Sequence, residues 1–429
     1  MSFFFFILVF PLVFLPDAGI SVPTAYGLLA PSDFVLPILY LFLLPNLLYR
    51  SSQPIFHRNV TIFYVLFAFI AALTTLLIPT RYPQMALSGD KVLFGFLKLA
   101  KFLEYSFFGY LLARSLNTPR RIRFFELSFA AGCLLLACSI FYNYSIGYED
   151  SYFYLDNGIA LTLAGLIIFW IGSSLRKSSR PIMYLKLALV VILLLAMFIE
   201  QGRGGWIAAM VGIGYLVILR RPNLRKFIIA AIILISIAYA YNVLVPFKDE
   251  VIKTFPRIFN SDSGDDFADK YGIDDGGRIG IWGLYFKKIS LEPILGAGFF
   301  NRTPESGLDW WGSHNFFLQM ALETGLLGLF CLLAVFYYLW VDTTARSRDP
   351  TQLQTYRAVL IAVVVGCQSG EYLYGGSVLL MLSIITAYHF AFCNQKKFLW
   401  VGASAESLHD YPDEVLLEKQ PIKHGSLSF

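Results

Sequence analysis

The chain has 429 residues, of which 57% are hydrophobic and 15% are charged, and its formal net charge is +5. Because soluble domains carry about 25% charged residues, this composition excludes an ordinary soluble enzyme and indicates a protein of the lipid bilayer. The five cysteines lie within apolar stretches or at their ends and lack metal-ligand spacing. We therefore expect neither a zinc site nor a disulfide framework.

Apolar runs of about 17–25 residues are candidates for membrane-spanning helices. About twelve runs, several of them short, follow one another at residues 2–16, 32–49, 60–79, 92–114, 124–142, 157–175, 182–200, 204–219, 226–246, 315–341, 356–369 and 376–394. The first run resembles a signal segment but lacks a cleavage site, so we interpret it as a retained helix. We expect an all-α polytopic membrane protein with one integral membrane domain at 1–394 and a polar cytoplasmic tail at 395–429.

The basic residues of the connecting loops predict how these helices are oriented. Cytoplasmic loops of membrane proteins carry an excess of Lys and Arg. Every second short loop is basic here, beginning with Arg50 and Arg58, whereas the 143–156 loop has three acidic residues and no basic one. We therefore expect both termini in the cytoplasm and His314, one of five histidines, alone on the external side.

One long external loop is predicted at about 247–314. Apolar residues recur at helical spacing near 278–290, which predicts a short amphipathic helix lying in the membrane interface. The Pro293–Gly298 segment that follows predicts a turn. The acidic residues around 262–275 do not match a calcium-binding loop, and we interpret them as solvated.

Two external arginines stand beside glycines, Arg203 in a short hairpin between apolar spans and Arg278 at the start of the interfacial helix. A guanidinium donates in a fixed fork and stays charged, so it suits phosphate. An arginine at the membrane edge is costly unless it is paired or lines an aqueous cavity. The alternatives are a snorkelling Arg203 or its ion pair with Glu200, and a plain surface charge at Arg278.

His314 lies where the external loop meets an apolar run, next to Trp310 and Trp311. An imidazole titrates near neutral pH and can accept a proton from a substrate. Paired tryptophans stack on sugar faces or sit in the headgroup region. The alternative is an ordinary hydrogen-bonded histidine at the interface.

Three segments together resemble the O-antigen ligase and O-antigen polymerase superfamily. His314 and Asn315, with Gly325 after nine residues and then Gly328, resemble its H-[NSQ]-x9-G-x-x-[GTY] pattern. The stretch from Arg278 and Trp282 to the PILGAGF run is similar to the segment before that histidine. Arg203 in QGRGG is similar to an arginine that opens a helix, and its spacing to Gly214 resembles a polymerase motif. The resemblance covers roughly residues 200–330.

The resemblance implies a glycosyltransferase of the bacterial inner membrane with a GT-C-like helical fold. Such enzymes move a preassembled glycan from undecaprenyl pyrophosphate to an acceptor hydroxyl at the periplasmic face. The acceptor is lipid A–core for ligases and another lipid-linked repeat for O-antigen or exopolysaccharide polymerases. Of these two hypotheses, we favour the ligase slightly. Neither a metal nor a nucleotide cofactor is implied, and membrane lipids are the other partners. We expect no nucleic-acid partner.

This chemistry assigns roles to the candidate residues. His314 would accept the proton of the acceptor hydroxyl, and Arg203 and Arg278 would stabilise the leaving pyrophosphate. Substrate contacts are expected from Trp282, Arg302, Trp310, Trp311 and Asn315. The sequence does not show whether the three catalytic candidates converge.

Two other classes of protein remain open at this stage. A transporter or flippase of lipid-linked sugars would place its charged groups near the bilayer midplane, on broken helices. A non-catalytic assembly protein would not need the arginine and histidine set. The candidate charges lie at the external edge, which favours chemistry at the surface.

Overall fold

The computed structural model describes residues 2–14, 23–24, 27–28, 31–45, 58–81, 90–146, 158–176, 179–200, 203–219, 278–299, 301, 313–346, 349–370, 373 and 376–406. Within these ranges nearly every residue is helical. A short antiparallel pair, β1 (Pro23–Thr24) and β2 (Gly27–Leu28), forms a two-stranded sheet. The fold is that of an all-α polytopic membrane protein, as the composition predicts.

The helices follow the predicted apolar runs. They are α1 (Ser2–Val9), which continues into a 3-10 helix (Phe10–Phe14), α2 (Pro31–Leu43), α3 (Arg58–Leu76), α4 (Ile78–Arg81), α5 (Asp90–Ser115), α6 (Pro119–Ile146), α7 (Ile159–Ser174), α8 (Arg180–Glu200), α9 (Arg203–Leu219), α10 (Arg278–Leu291), α11 (Phe316–Arg346), α12 (Pro350–Gly366) and α13 (Gly376–Glu406). Each predicted run coincides with a helix except 226–246, which lies outside the described residues.

Five stretches of the described helices are long and apolar enough to cross a membrane: Arg58–Thr80, Pro119–Ser145, Arg180–Glu200, Phe316–Thr343 and Gly376–Cys393. Shorter apolar helices lie at Phe3–Phe14, Phe34–Leu43, Ile159–Ser174 and Gly204–Leu219. Large apolar side chains such as Leu41, Phe69 and Leu185 are mostly exposed on the outside of the bundle. Exposure on this scale is unfavourable in water and normal in lipid, so these side chains form the lipid-facing surface.

The centre of the bundle is α7, whose side chains are all buried. Its sequence is apolar around the whole circumference, which is typical of a helix enclosed by other helices. It contacts α8, α9, α12 and α13. Small residues make these contacts close, because a side chain at Gly172 would collide with Thr355 of α12 and one at Gly165 would collide with Met381 of α13.

The same packing shows which helix ends lie together. Gly205, near the start of α9, lies against the backbone of Ala160, near the start of α7. Gly366, the last residue of α12, lies against Leu161 of α7. Since Ala160 and Leu161 are neighbours, the start of α9 and the end of α12 lie at one end of the bundle. The start of α11 lies here too, because the Phe316 N–H donates to the Cys367 carbonyl at 2.8 Å. We call this end of the bundle the site end.

Charged groups tie helices together towards the opposite end. Arg176 donates to Tyr388 Oη at 2.6 Å and lies 3.5 Å from Glu126, and Tyr388 donates to Glu126. Lys186 adds a bond of 2.7 Å to Ser173 Oγ and lies 3.9 Å from Glu126. Ionic groups inside a membrane bundle are normally paired in this way. The cluster joins α6, the end of α7, α8 and α13.

Candidate active site

His314 lies in the turn that leads into α11, and its side chain is exposed. Its backbone has φ 50°, the left-handed region that L-residues with side chains rarely adopt. A residue is held in this conformation only when its surroundings fix it. The neighbours on each side therefore decide how the imidazole is presented.

Ser313 holds the turn from the N-terminal side. It is fully buried, and its Oγ donates to the carbonyl oxygen of Asn315 at 2.5 Å and accepts from the Asn315 N–H at 3.1 Å. The carbonyl of Ser313 accepts the indole N–H of Trp282, on α10, at 3.0 Å. Trp282 was predicted to contact substrate, and the described contact is with the turn that carries His314.

Asn315 holds the turn from the C-terminal side. Its Oδ1 accepts the backbone N–H groups of Phe317 and Leu318 at 3.0 and 3.2 Å, so it caps α11. Its Nδ2 donates to Gln368 Oε1 at 2.9 Å. Both ends of the predicted substrate-binding side chain thus engage the protein itself, and a direct contact with substrate stays a prediction.

The backbone donors at the start of α11 are all used. The N–H of Asn315 binds Ser313, that of Phe316 donates to the Cys367 carbonyl at 2.8 Å, and those of Phe317 and Leu318 bind Asn315. A helix N-terminus binds phosphate through such donors when they are free. Among the described residues, the start of α11 therefore offers no such donor to an anion.

The helix that follows His314 is broken at Gly325, which has φ 68° and ψ −179°. Backbone groups released by the break bind the turn after α10. The N–H groups of Ala297 and Gly298 donate to the carbonyls of Leu322 and Glu323 at 2.7 and 3.0 Å. In return the N–H of Leu326 donates to the Pro293 carbonyl at 2.8 Å. Backbone groups shielded from water need such partners, so the turn and the break stabilise one another.

The glycines of the motif differ in whether the structure requires glycine at their positions. A Cβ at Gly325 would collide with the backbone of Ile294, and one at Gly296, with φ 63°, would collide with the Leu322 carbonyl. Only glycine tolerates both the backbone angle and the contact. Gly214, the motif position after Arg203, has open space around its Cα. Its contacts therefore do not require glycine.

α10 brings a second candidate towards the same place. Arg278 is the first residue of α10, and Trp282 follows about 6 Å along the helix axis. Tyr285 and Ile289 are buried against Ala321 and Leu322 of α11. The start of α10 thus lies beside the turn of His314. At the far end of α10, burial lowers the pKa of Lys288, but that group is about 15 Å further along the helix than Arg278.

Arg203 is the first residue of α9, as predicted for an arginine that opens a helix. The start of α9 lies at the site end, where the end of α12 meets the turn of His314. The backbones of the three catalytic candidates therefore lie at one end of the bundle, two at helix starts and His314 in the turn before α11. The side chains of Arg203 and Arg278, and residues Arg302, Trp310 and Trp311, lie outside the described structure.

Buried polar residues continue along α11 beyond the candidates named from the sequence. Gln319 and Glu323 are each 1% exposed, and Gln319 Nε2 donates to Glu323 Oε1 at 2.5 Å. Gln319 Oε1 has no hydrogen-bond partner among the described residues. With Asn315 they recur every four residues on one face of the helix. A carboxylate inside an apolar run is itself a signal of function that the sequence analysis did not use.

The comparison with known families assigns this region. Residues 188–333 match a family model described as O-Antigen ligase, about a third of the chain. The match spans Arg203, Arg278, His314 and Gly325 and confirms the resemblance drawn from the sequence. The chain is thus a multi-pass membrane protein whose residues 188–333 are similar to the O-antigen ligase family. A search of curated proteins gave no match.

Proposed function

We propose that this protein transfers a preassembled glycan from undecaprenyl pyrophosphate to an acceptor hydroxyl at the periplasmic face of the bacterial inner membrane. The proposed reaction is that of a ligase, with lipid A–core as the acceptor. Its main support is the exposed His314, held in a left-handed turn at the start of a broken helix inside the matched region. Backbone strain of this kind collects at functional sites.

His314 acts as the proton acceptor. The acceptor oxygen forms a bond to the anomeric carbon while the bond from that carbon to the pyrophosphate oxygen breaks, and the hydroxyl proton passes to the imidazole. Only the neutral imidazole accepts a proton, so the neutral form of His314 is the active one.

Arg203 and Arg278 stabilise the leaving undecaprenyl pyrophosphate. The reaction transfers negative charge to that group, and fixed positive groups there lower the barrier. Because the backbone donors at the start of α11 are already used, guanidinium groups at the starts of α9 and α10 take this task. The proposal requires no metal. Among the described residues no cluster of three or more His, Cys, Asp or Glu is arranged to hold one.

An apolar cavity supports a lipid-linked donor. It has a volume of about 620 Å³ and lies between α3, α5, α11 and α13, with Phe102, Leu332, Phe336 and Leu379 in its wall. Leu373 also lines it and lies five residues after Gln368, which binds Asn315. The cavity extends along the bundle from Leu373, near the site end, to Val60, near the start of α3. An apolar space of this kind suits the isoprenoid tail of a donor whose pyrophosphate lies near His314.

The proposed orientation follows from the basic loops. The site end faces the periplasm, and the cluster of Glu126, Arg176 and Lys186 lies towards the cytoplasm. The integral domain spans 1–394 with the external loop at 247–314 and its interfacial helix near 278–290, and both the N-terminus and the 395–429 tail are cytoplasmic.

Transfer with purified protein tests the function. The protein in nanodiscs is given undecaprenyl-pyrophosphate glycan with lipid A–core in one arm and with further lipid-linked repeat in the other, with and without EDTA. Product on lipid A–core supports the ligase, and product only on the lipid-linked repeat replaces it with a polymerase. No product in either arm, together with movement of the lipid across a vesicle bilayer, overturns the enzyme and supports a transporter. Loss of product with EDTA contradicts metal independence.

A further inference from the structure

We propose that Gln368, in the turn after α12, is a positioning residue for His314. The turn at residues 366–369 then belongs to the active site, although it lies outside the matched residues 188–333. The inference rests on the proposed function of His314, and it adds a residue from a part of the chain that the family match does not reach.

Two contacts join this turn to the start of α11. The Cys367 carbonyl accepts the Phe316 N–H at 2.8 Å, and Gln368 Oε1 accepts from Asn315 Nδ2 at 2.9 Å. They hold the two residues that follow His314.

The 366–369 turn is itself fixed, so it can serve as a reference point. The N–H of Cys367 continues the helical pattern to Val363 at 2.9 Å, and that of Gln368 donates to Val365 at 3.1 Å. Both the N–H and the Oγ of Ser369 donate to the Gly366 carbonyl, at 2.9 and 2.8 Å. α12 is anchored in turn against the buried α7 through Gly366 and Leu161.

The bond from Gln368 selects one orientation of the Asn315 amide. With Nδ2 directed to Gln368, Oδ1 faces the N–H groups of Phe317 and Leu318 and caps the helix. Without an acceptor at residue 368, the amide loses the contact that orders it. The left-handed conformation of His314 then has fewer neighbours to hold it.

Gln368 is exposed, whereas the residues around it at 366 and 367 are buried. An exposed side chain contributes little to the core, so its removal leaves most of the packing intact. The contact with Asn315 is therefore the main described role of this side chain. This separates a positioning role from a general role in folding.

The test compares Gln368→Ala with Gln368→Glu in the transfer assay. Glutamate keeps an acceptor for Asn315 Nδ2, and alanine does not. We expect Gln368→Ala to lower kcat by about 3- to 10-fold, the size of one lost hydrogen bond, with little change in the KM for donor. We expect Gln368→Glu to recover most of the rate. Gln354→Ala, which removes a glutamine side chain of α12 about 21 Å from the turn, is the control and should behave as wild type.

A double-mutant cycle with Asn315→Ala separates positioning from folding. If Gln368 acts through Asn315, its removal has no further effect on kcat in the Asn315→Ala background. Independent effects that multiply would overturn the inference, as would a wild-type rate for Gln368→Ala. A fall in kcat that follows a loss of thermal stability equally in the alanine and glutamate variants would overturn it as well.

His314→Ala in the same assay distinguishes the two proposals. If that variant retains full activity, the proton-acceptor role fails, and the positioning role fails with it. If His314→Ala is inactive while Gln368→Ala is unchanged, the proposed function stands and only the positioning role fails.

Discussion

At the scale of single residues, the candidate site is His314, and its neighbours form the hydrogen bonds that fix its turn. Ser313, Asn315 and Trp282 use their polar groups on the turn around His314. This leaves the exposed imidazole as the group of the turn that faces outward. This rigid support is consistent with the proposed role of His314 as proton acceptor, because a reactive group must be held in its productive geometry.

Replacing His314 should separate its chemistry from its structural role. We expect His314→Ala and His314→Gln to lower kcat by about 10²- to 10⁴-fold, the range of general base catalysis, while the protein remains folded because the side chain is exposed. In the wild type the rate should fall as the pH decreases through neutrality, because a protonated imidazole cannot accept a proton. Single-turnover transfer across pH measures both. A variant with wild-type kcat would contradict the role.

At the scale of elements, the break in α11 separates two tasks. The nine residues 316–324 are capped by Asn315 and carry the buried polar side chains of Gln319 and Glu323. The 21 residues 326–346 measure about 31 Å and are long enough to cross the hydrocarbon core alone. The turn after α10 fills the break, so the helix with Arg278 and the helix after His314 are joined at a fixed point.

Gly325 should tolerate no side chain. Gly325→Ala forces a residue with a Cβ into a left-handed angle and against the Ile294 backbone, so we expect loss of folded protein and of activity. Gly283→Ala on α10 is the control. That glycine is helical with open space around it, and alanine there should be neutral or stabilising by up to about 1 kcal/mol. The yield and the melting temperature of each variant are measured in detergent. Equal values for the two variants would contradict the fit of the Pro293–Gly298 turn into the break at Gly325.

The apolar cavity makes a second prediction at this scale. Leu332→Trp fills space in the cavity wall, so we expect the KM for the lipid-linked donor to rise several-fold with kcat less affected. Leu333→Trp places the same side chain on the neighbouring residue, which is 46% exposed on the outside of the bundle. It should leave the KM unchanged. With a donor that has a short tail, the two variants should have the same KM. If their KM values still differ, the tail does not bind in the cavity.

At the scale of the whole molecule, packing of α7, α9, α11 and α12 collects the starts of three helices at one end. Arg203 is more than a hundred residues before His314 in the chain, and contacts through Ala160, Leu161 and Gly366 relate the two. The charged cluster of Glu126, Arg176 and Lys186 lies towards the other end. The two ends therefore differ in the chemistry of the residues that they carry.

Labelling of single cysteines tests the orientation. In a cysteine-free background, Ser290→Cys at the end of α10 and Thr118→Cys between α5 and α6 are both exposed positions. Because the basic loops are expected in the cytoplasm, a membrane-impermeant maleimide should label Ser290→Cys in spheroplasts and label Thr118→Cys only after lysis. The reverse pattern would place the site on the cytoplasmic side.

The sequence by itself determined the class of protein, the helices and the three candidates. Long apolar runs are favourable in lipid and not in water, so they identify the membrane-spanning helices. A lone arginine or histidine at the end of such a run is costly there, so it indicates a functional site. The sequence did not reveal that Asn315 and Trp282 support the turn, or that Glu323 is buried beside Gln319.

Only the tertiary structure decided that Cys367 and Gln368 reach the start of α11, and that the turn at Pro293–Gly298 fills the break at Gly325. These contacts join residues that are 25 to 53 positions apart in the chain. Local periodicity contains no information on such pairs, because they depend on which helix ends the packing of small residues brings together.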